Sequence, residues 1–343
     1  CLMCFEIITT ISNHLKQLNP PYFAAMKRSV LLFFLLSLCL AAYAQPLNVR
    51  QSLFQNTFDY LPLNPGWSSI SEATGFQATY LGSFTNTRIV SKSGQVSLYG
   101  RSAKAGWGGV LHFFQANYYG ELKIRPSYAR LFETSLGTFA FGGAVGLSYF
   151  DFSDETFFWY YPNFGSVDAS VGVHFFRENW FAGVSSLSFF ETSLLAKDES
   201  KELFFLREQP NNLYAGTVFR INDYLRAKPV ALFSFTNLRP LHESGQPLEN
   251  VSEYFWSIDF QANVIIDDSY MVGLLYGITR YDLGDEFNRY GLSASLLFGN
   301  FRLTYGIQQN GRNASGVGLP VSHLVSAGYD FPIGEEETPV RFF

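Results

Sequence analysis

The sequence has few charged residues for its length, and it lacks the features of a helical membrane protein. Charged residues make up 15% of its 343 residues, whereas soluble globular chains typically contain about 25%. Much of the folded surface is therefore expected to face something other than water. Repeated apolar runs of about 20 residues, which a helical membrane bundle needs, are missing from the chain.

Cysteine and an excess of positive charge are also missing from most of the chain. The three cysteines all lie before Gln45, so the chain from Gln45 onward has no residue for a disulfide, a thiolate metal site or a cysteine nucleophile. That part of the chain contains 21 basic and 28 acidic residues, a net charge of −7. Without a basic field to attract nucleic acid, we expect no nucleic-acid partner. We also expect no cofactor.

The first 44 residues are interpreted as two segments that precede the folded chain. From Met26 the sequence has a basic pair, an apolar core over 30–40 and a small-residue cleavage site that ends at Ala44. These are the three parts of a secretory signal peptide, and we expect cleavage after Ala44. A membrane anchor over 26–44 is the alternative, but the apolar core is short for a span. Residues 1–25 carry no export pattern and are interpreted as an upstream translated extension.

Aromatic residues are abundant, and apolar residues alternate with polar ones. The chain has 36 Phe, 20 Tyr and 5 Trp, a content that excludes a disordered chain. Over 254–266, aromatic and aliphatic residues alternate with a set that includes Asp259, Gln261 and Asn263. Only a β-strand places two such sets on opposite faces, and we expect the polar set to face a lumen. Related alternation occurs in fourteen segments, which are 75–84, 95–101, 107–117, 122–132, 139–150, 167–175, 180–190, 213–221, 225–235, 254–266, 270–278, 290–298, 301–307 and 325–331.

The connections between these segments alternate in length from the fifth segment onward. Long connections such as 191–212, 236–253 and 308–324 alternate with short ones such as 267–269. Outer-membrane barrels have this asymmetry because their periplasmic turns are short and their outer loops are long. A soluble β-sandwich has no reason to sort its loops in this way.

We therefore predict an all-β fold, a transmembrane outer-membrane β-barrel of about 14 antiparallel strands with short periplasmic turns and long extracellular loops. The barrel is expected over 75–331. An N-terminal periplasmic segment at 45–74 leads into it, and a C-terminal tail at 332–343 follows it. Aromatic residues at strand ends are expected to form girdles at the membrane interfaces. They include Trp180, Phe181, Phe189 and Phe190, and a run over 157–161.

A resemblance to a known family rests on motifs spread along the chain. The segment Phe54–Gly66, which ends in Leu63, Asn64, Pro65 and Gly66, resembles the opening of the PorP/SprF family of Bacteroidetes outer-membrane proteins. Ile124–Tyr128, Pro162–Gly165 and Leu225–Pro229 are similar to that family in order and spacing.

The resemblance implies a non-enzymatic barrel of the type IX secretion and gliding machinery. Such a barrel assists secretion of cargo proteins or their attachment at the cell surface. The implied partners are other type IX secretion components, secreted cargo proteins and outer-membrane lipid.

Two short segments are candidate functional sites. Asn64 and Pro65 fit a rigid turn at the start of the barrel, in which Asn64 satisfies backbone groups, and direct contact with a partner is the alternative. Leu203, Phe204, Phe205 and Leu206 form an apolar tip in a predicted outer loop and are candidates for partner contact. In the alternative interpretation, the phenylalanines cover the lumen as a lid or extend a strand above the membrane.

The sequence offers little support for an enzyme. His112 and His174 lie in predicted strands, where either could form a Ser–His pair, but a histidine without a chemical role is the preferred interpretation. No Gly-x-Ser-x-Gly elbow and no metal-ligand spacing strengthens the enzyme hypothesis. The leading alternative function is a transport barrel or channel for small or hydrophobic solutes, since about fourteen strands could enclose a pore.

Overall fold

The described part of the chain begins at Leu53 and consists mainly of β-strands. The computed structural model describes residue 53 and residues 55–69, 74–85, 88–102, 104–116, 119–152, 164–193, 205–241, 253–281, 286–310 and 321–331. Residues 1–25, the expected signal peptide at 26–44 and the expected tail at 332–343 lie outside these ranges. Among the described residues there is no helix that is long and apolar enough to cross a membrane.

Within these ranges, fourteen strands of ten to seventeen residues form one antiparallel sheet. Each long strand pairs with its neighbours in the chain, and the first pairs with the last, from Thr74 opposite Phe331 to Phe84 opposite Val321. The sheet is therefore a closed barrel, which confirms the predicted fold and strand number. The strands are β1 (Thr74–Thr85), β2 (Arg88–Ser102), β3 (Ala105–Ala116), β4 (Tyr119–Thr134), β5 (Gly137–Phe152), β6 (Phe164–Arg177), β7 (Trp180–Ser193), β8 (Phe205–Thr217), the two-residue β9 (Phe219–Arg220), β10 (Leu225–Leu241), β11 (Glu253–Ile266), β12 (Tyr270–Tyr281), β13 (Glu286–Phe298), β14 (Phe301–Asn310) and β15 (Val321–Phe331).

The burial pattern of the strands is the reverse of that in a soluble protein. In β11, Asp259, Gln261 and Asn263 are almost fully buried, whereas Phe260 and Val264 are exposed. The polar side chains face the lumen, as predicted, and the apolar side chains face outward. An apolar exterior around a polar interior is what a barrel in hydrocarbon requires. Closure leaves no sheet edge unpaired in a medium that cannot form hydrogen bonds.

The connections are sorted between the two ends of the barrel. The connections 153–163, 194–204, 242–252 and 311–320 lie at one end, which we call the long-loop end. The connections 103–104, 135–136, 178–179, 267–269 and 299–300 lie at the other, the short-turn end. At the short-turn end Asp267 and Asp268 both have φ near +48°, as a type I′ hairpin turn requires. The predicted sorting from β5 onward is observed with two exceptions, because 218–224 is a longer connection at the short-turn end and 282–285 is a short one at the long-loop end. Before β5, the connections 86–87 and 117–118 at the long-loop end are also short.

The aromatic side chains at strand ends divide between the two faces of the wall. Trp180, Phe189 and Phe190 are about half exposed and face outward, as expected for girdle residues. Phe181 is 1% exposed and faces the lumen, so its assignment to a girdle is corrected. Because neighbouring residues of a regular strand point to opposite faces, Trp180 and Phe181 cannot both face lipid. Phe189 and Phe190 can both do so because a register shift between β6 and β7 interrupts the alternation at this point. Residues 157–161 lie outside the described ranges.

Candidate functional site: a plug inside the barrel

The lumen contains the chain segment that precedes β1. The described part of this segment is Leu53 and residues 55–69, and Pro65–Ser69 form a short 3₁₀ helix. Its residues contact β2, β3, β4, β5, β6, β7, β8, β10 and β11, which surround the lumen. We call Leu53 and residues 55–69 the plug. The segment expected in the periplasm at 45–74 thus lies inside the barrel over this part, because its apolar side chains have no other enclosed space to fill.

The motif residues Leu63, Asn64, Pro65 and Gly66 come together in a buried turn of the plug. The Asn64 side-chain amide donates hydrogen bonds to the backbone oxygens of Val173 (2.8 Å) and Val184 (3.2 Å). Its side-chain oxygen accepts a hydrogen bond from the backbone N–H of Gly66 at 2.8 Å. Asn64 therefore satisfies backbone groups of both the wall and its own turn, which agrees with the rigid-turn interpretation.

Glycines in the wall allow this turn to lie directly against the strand backbones. A Cβ atom at Gly142 would lie 2.5 Å from the backbone of Pro65 and Gly66. A Cβ at Gly172 would lie 2.0 Å from Asn64 Oδ1, and one at Gly106 would lie 2.2 Å from Ser69 Cα. Real Cβ atoms do not approach other atoms so closely. The wall therefore has a seat that matches the turn and requires glycine.

Aromatic rings and a buried lysine hold the middle of the plug. Tyr60 stacks on Tyr214 with ring centroids 5.1 Å apart and packs against Phe181 at 5.4 Å. Lys228 is fully buried, and its Nζ donates a hydrogen bond to the Thr57 backbone oxygen at 2.7 Å. The same Nζ lies 5.4 Å from the centroid of the Tyr60 ring, within the range of cation–π attraction. The plug thus supplies the oxygen and two of the three rings near this ammonium group, and Phe181 of the wall supplies the third.

A second buried cluster joins the plug to the seam of the barrel. The Arg302 guanidinium binds both carboxylate oxygens of Asp330 and donates a hydrogen bond to the Tyr99 hydroxyl at 2.7 Å. The Tyr99 hydroxyl in turn donates to Asp330 Oδ1 at 2.6 Å. The ring of the plug residue Phe58 lies beside this group, with its centroid 5.8 Å from the Arg302 guanidinium carbon. The plug therefore contacts the ion pair that links β14 and β15.

Asp59 is less well satisfied than Asp330. Its Oδ1 accepts the Leu61 backbone N–H at 2.9 Å, whereas its Oδ2 has no hydrogen-bond partner among the described residues. Burial raises the pKa of Asp59 to about 6, although the Leu61 N–H and the charge of Arg302 oppose the rise. Compared with water, this site therefore favours the neutral acid over the carboxylate.

The enzyme hypothesis gains little from the two strand histidines. Ser93 Oγ lies 3.1 Å from His112 Nε2, whereas His174 Nδ1 lies 2.5 Å from the Tyr214 hydroxyl. A Ser–His contact becomes a nucleophile only when further groups orient the imidazole and stabilise an oxyanion. In the described ranges no three His, Cys, Asp or Glu side chains are grouped so that they could hold a metal ion.

The proposed partner-contact residues are only partly described. Phe205 and Leu206 belong to β8, where they pair with Leu241 and Pro240, so they lie in an extended strand and not in a loop. This position corresponds to the alternative in which a strand extends above the membrane. Leu203 and Phe204 lie outside the described residues.

Sequence reasoning did not find the plug, although a signal for it was present. Six large apolar residues lie in a segment without strand alternation, and burying them in a barrel protein requires the lumen. They are Leu53, Phe58, Tyr60, Leu61, Leu63 and Trp67, and the structure buries all of them.

The fold and this site define a class, an outer-membrane β-barrel whose lumen holds the segment that precedes its first strand. Comparison of sequences makes the assignment more specific. The model of the PorP/SprF family, described as type IX secretion system membrane proteins, matches residues 45–331. The chain therefore belongs to the PorP/SprF family, and the matched range includes both the plug and the barrel. No curated protein matches the chain.

Solved structures with a similar fold include monoaromatic hydrocarbon channels. The chain is similar to the CymD monoaromatic hydrocarbon channel, with a TM-score of 0.53, 9% identity and coverage of 80% of this chain and 93% of that one. It is also similar to a deltaS2 mutant of the TodX monoaromatic hydrocarbon channel, with a TM-score of 0.51, 8% identity and coverage of 80% and 94%. At such low identity the likeness shows the fold alone.

Proposed function

We propose that this protein is a non-enzymatic outer-membrane barrel of the type IX secretion and gliding machinery. In this role it assists the secretion of cargo proteins or their attachment at the cell surface. The family match over residues 45–331 is the observation that carries the proposal. The plug supports it, because a lumen crossed by a buried chain segment favours action through protein contacts over free diffusion of solutes.

The proposal includes a route to the membrane and an orientation. The signal peptide at 26–44 directs export and is removed after Ala44. The long-loop end faces the cell surface, and the short-turn end faces the periplasm. Cargo and other type IX components then meet the long-loop end, where Leu203 and Phe204, together with Phe205 and Leu206 at the start of β8, supply an apolar contact.

Co-purification from native membranes tests this proposal. We expect the tagged wild-type barrel to bring down type IX secretion components and cargo. A Phe204→Ser/Phe205→Ser variant should keep its heat-modifiable migration and lose most of the captured cargo. Ile221→Ser/Tyr224→Ser is the matched control, because both residues are exposed in the turn 221–224 at the opposite end of the barrel. Wild-type protein that captures no secretion component would contradict the proposal. Equal capture of cargo by the two variants would show that Phe204 and Phe205 do not contribute to cargo binding.

A transport barrel for small or hydrophobic solutes remains the second candidate. The similarity to hydrocarbon channels is consistent with transport but does not favour it, because at this low sequence identity it shows only a shared fold. Planar bilayers separate the two candidates. A stable ion-permeable channel formed by the purified protein supports transport, and a silent barrel that co-purifies with secretion components supports the first candidate.

A further inference from the structure

The wall of the barrel is incomplete between β7 and β8 at the long-loop end. The residue pairs that join these strands end at Ser186 opposite Asn211. Both strands continue beyond this pair, yet within the described chain no backbone pair joins 187–193 of β7 to 205–210 of β8. On its other side β7 stays paired with β6 up to Ser193, and β8 stays paired with β10. We call the two facing edges, 187–193 and 205–210, the β7–β8 gap.

A bulge in β7 explains why the pairing stops. Leu187, Ser188 and Phe189 all lie opposite Ser170 of β6, where a regular ladder places one residue opposite one. Ser188 has a φ of +51°, and its backbone N–H donates a hydrogen bond to Ser170 Oγ at 3.0 Å. Lys123 of β4 donates another to Ser188 Oγ at 3.2 Å. Bulges bend a strand and end its pairing, so side chains of two neighbouring strands hold the gap open.

Two prolines indicate which backbone groups of β8 face the gap. Pro210 lies opposite Thr236 of β10, and Pro240 of β10 lies opposite Leu206. Because proline has no N–H, these two pairs fit the positions of the ladder at which no hydrogen bonds are exchanged. Such positions recur at every second residue, so Glu208 belongs to the same set. The N–H and C=O groups of Leu206 and Glu208 therefore point away from β10 and into the gap.

In the described chain, the β7 side of the gap is met by a side chain and not by a backbone donor. The Gln209 side-chain amide lies 3.5 Å from the Phe189 backbone oxygen. Phe189 and Phe190 lie on the outer face about ten residues along β7 from Trp180, the length at which a tilted strand has crossed the hydrocarbon. The gap therefore opens at the membrane interface of the long-loop end. Water reaches its backbone groups there, so no edge is left unpaired in hydrocarbon.

We propose that the β7–β8 gap binds an extended segment of a partner protein, which adds as a strand to the edge of β8 over 205–210. An unpaired strand edge is a template for pairing with another chain, and the backbone hydrogen bonds supply the affinity. Lipid tails and apolar solutes cannot bond the N–H groups of Leu206 and Glu208, whereas an extended peptide can. The inference rests on the proposed function for the identity of the partner, a secreted cargo protein, and adds the place and mode of its binding.

Amide hydrogen exchange of the purified barrel, measured residue by residue, tests whether the edge is open. The amides of Leu206 and Glu208 should exchange at least about tenfold faster than those of Arg207 and Gln209, which bond β10. In the complex of the tagged barrel with cargo from native membranes, the two fast amides should slow to the rate of the other two. Slow exchange at all four positions without cargo overturns the proposal, since residues 194–204 or a second copy would then cover the edge. Unchanged fast exchange in the complex also overturns it.

The variants Glu208→Pro and Glu208→Thr separate the backbone group from the side chain. Both remove the carboxylate, but only proline removes the N–H that faces the gap, and neither removes a bond to β10. Both should keep folded electrophoretic migration. In co-purification from native membranes, Glu208→Pro should capture about tenfold less cargo than Glu208→Thr.

The outcomes of this comparison separate the binding place from the proposed function. Equal capture by Glu208→Pro and Glu208→Thr overturns the added strand and leaves the proposed function intact. Wild-type protein that captures no cargo contradicts the proposed function, and the choice of partner fails with it. If Glu208→Pro does not fold, the exchange of the Leu206 and Glu208 amides in the wild-type complex decides the question.

Discussion

At the scale of single residues, two neighbouring glycines of β5 have opposite relations to the plug. A Cβ at Gly142 would lie 2.5 Å from the plug backbone, whereas a Cβ at Gly143 would meet only the Ser170 backbone oxygen at 3.7 Å, an ordinary contact. Both residues are glycines of the same strand, and they differ only in the face of the wall on which they lie. They form a matched pair that separates plug seating from strand stability.

We expect Gly142→Ala to loosen the plug and leave the barrel intact. Overpacking against a fixed backbone costs about 1–3 kcal/mol, which corresponds to roughly five- to hundredfold faster exchange of the plug amides. Hydrogen–deuterium exchange of peptides from residues 55–69 measures this change, and Gly143→Ala should exchange like the wild type. Equal protection of the plug in both variants would show that the glycine seat has no energetic role.

At the scale of elements, the seam between β15 and β1 is held by side-chain contacts as well as by the backbone hydrogen bonds between the two strands. Ser83 and Ser322 hydroxyls lie 2.9 Å apart across it, as do those of Thr79 and Ser326. Asp330 of β15 extends these contacts to the neighbouring strands, because it pairs with Arg302 of β14 and accepts a hydrogen bond from Tyr99 of β2. These contacts bring together strands from the two ends of the barrel sequence, where the closing step of folding takes place.

We expect Asp330→Ala to destabilise the barrel strongly, because it leaves the Arg302 guanidinium buried without its carboxylate. Removal of one partner of a buried pair costs about 3–5 kcal/mol. Asp223→Ala is the control, since the Arg220–Asp223 pair is highly exposed and contributes at most about 1 kcal/mol. The temperature at which each protein loses its folded electrophoretic migration reports the difference. Similar temperatures for the two variants would mean that the seam does not depend on this ion pair.

At the scale of the whole molecule, the sorting of connections has a consequence for orientation. The connections 242–252 and 311–320 lie at the long-loop end, and the Asp267–Asp268 turn lies at the short-turn end. A barrel inserted with its long loops outward presents only the first two at the cell surface.

Epitope tags inserted in 242–252 or in 311–320 should therefore bind antibody on intact cells. A tag at the Asp267–Asp268 turn should bind only after the outer membrane is permeabilised. Each tagged protein must first show folded migration, which serves as its control. Surface labelling of the turn in intact cells would reverse the proposed orientation.

Local patterns in the sequence were sufficient to predict the wall of the barrel. Alternation with a period of two predicts strands regardless of their partners, and in 254–266 it also identified the lumen-facing Asp259, Gln261 and Asn263. Strand ends were less accurate. The prediction began β2 at residue 95, whereas the strand starts at Arg88, because the end of a strand lies beyond hydrocarbon, where both faces can carry polar residues.

The sequence by itself determined the barrel, its strand number and most of the sorting of its connections, because each depends on residues close together in the chain. Only the tertiary structure decided where the plug lies and what holds it. Asn64 meets Val173 and Val184, Leu53 meets Asp259, and Thr57 meets Lys228 only when the sheet has closed. No periodicity encodes such contacts, because they depend on which inward side chains closure brings opposite one another across the lumen.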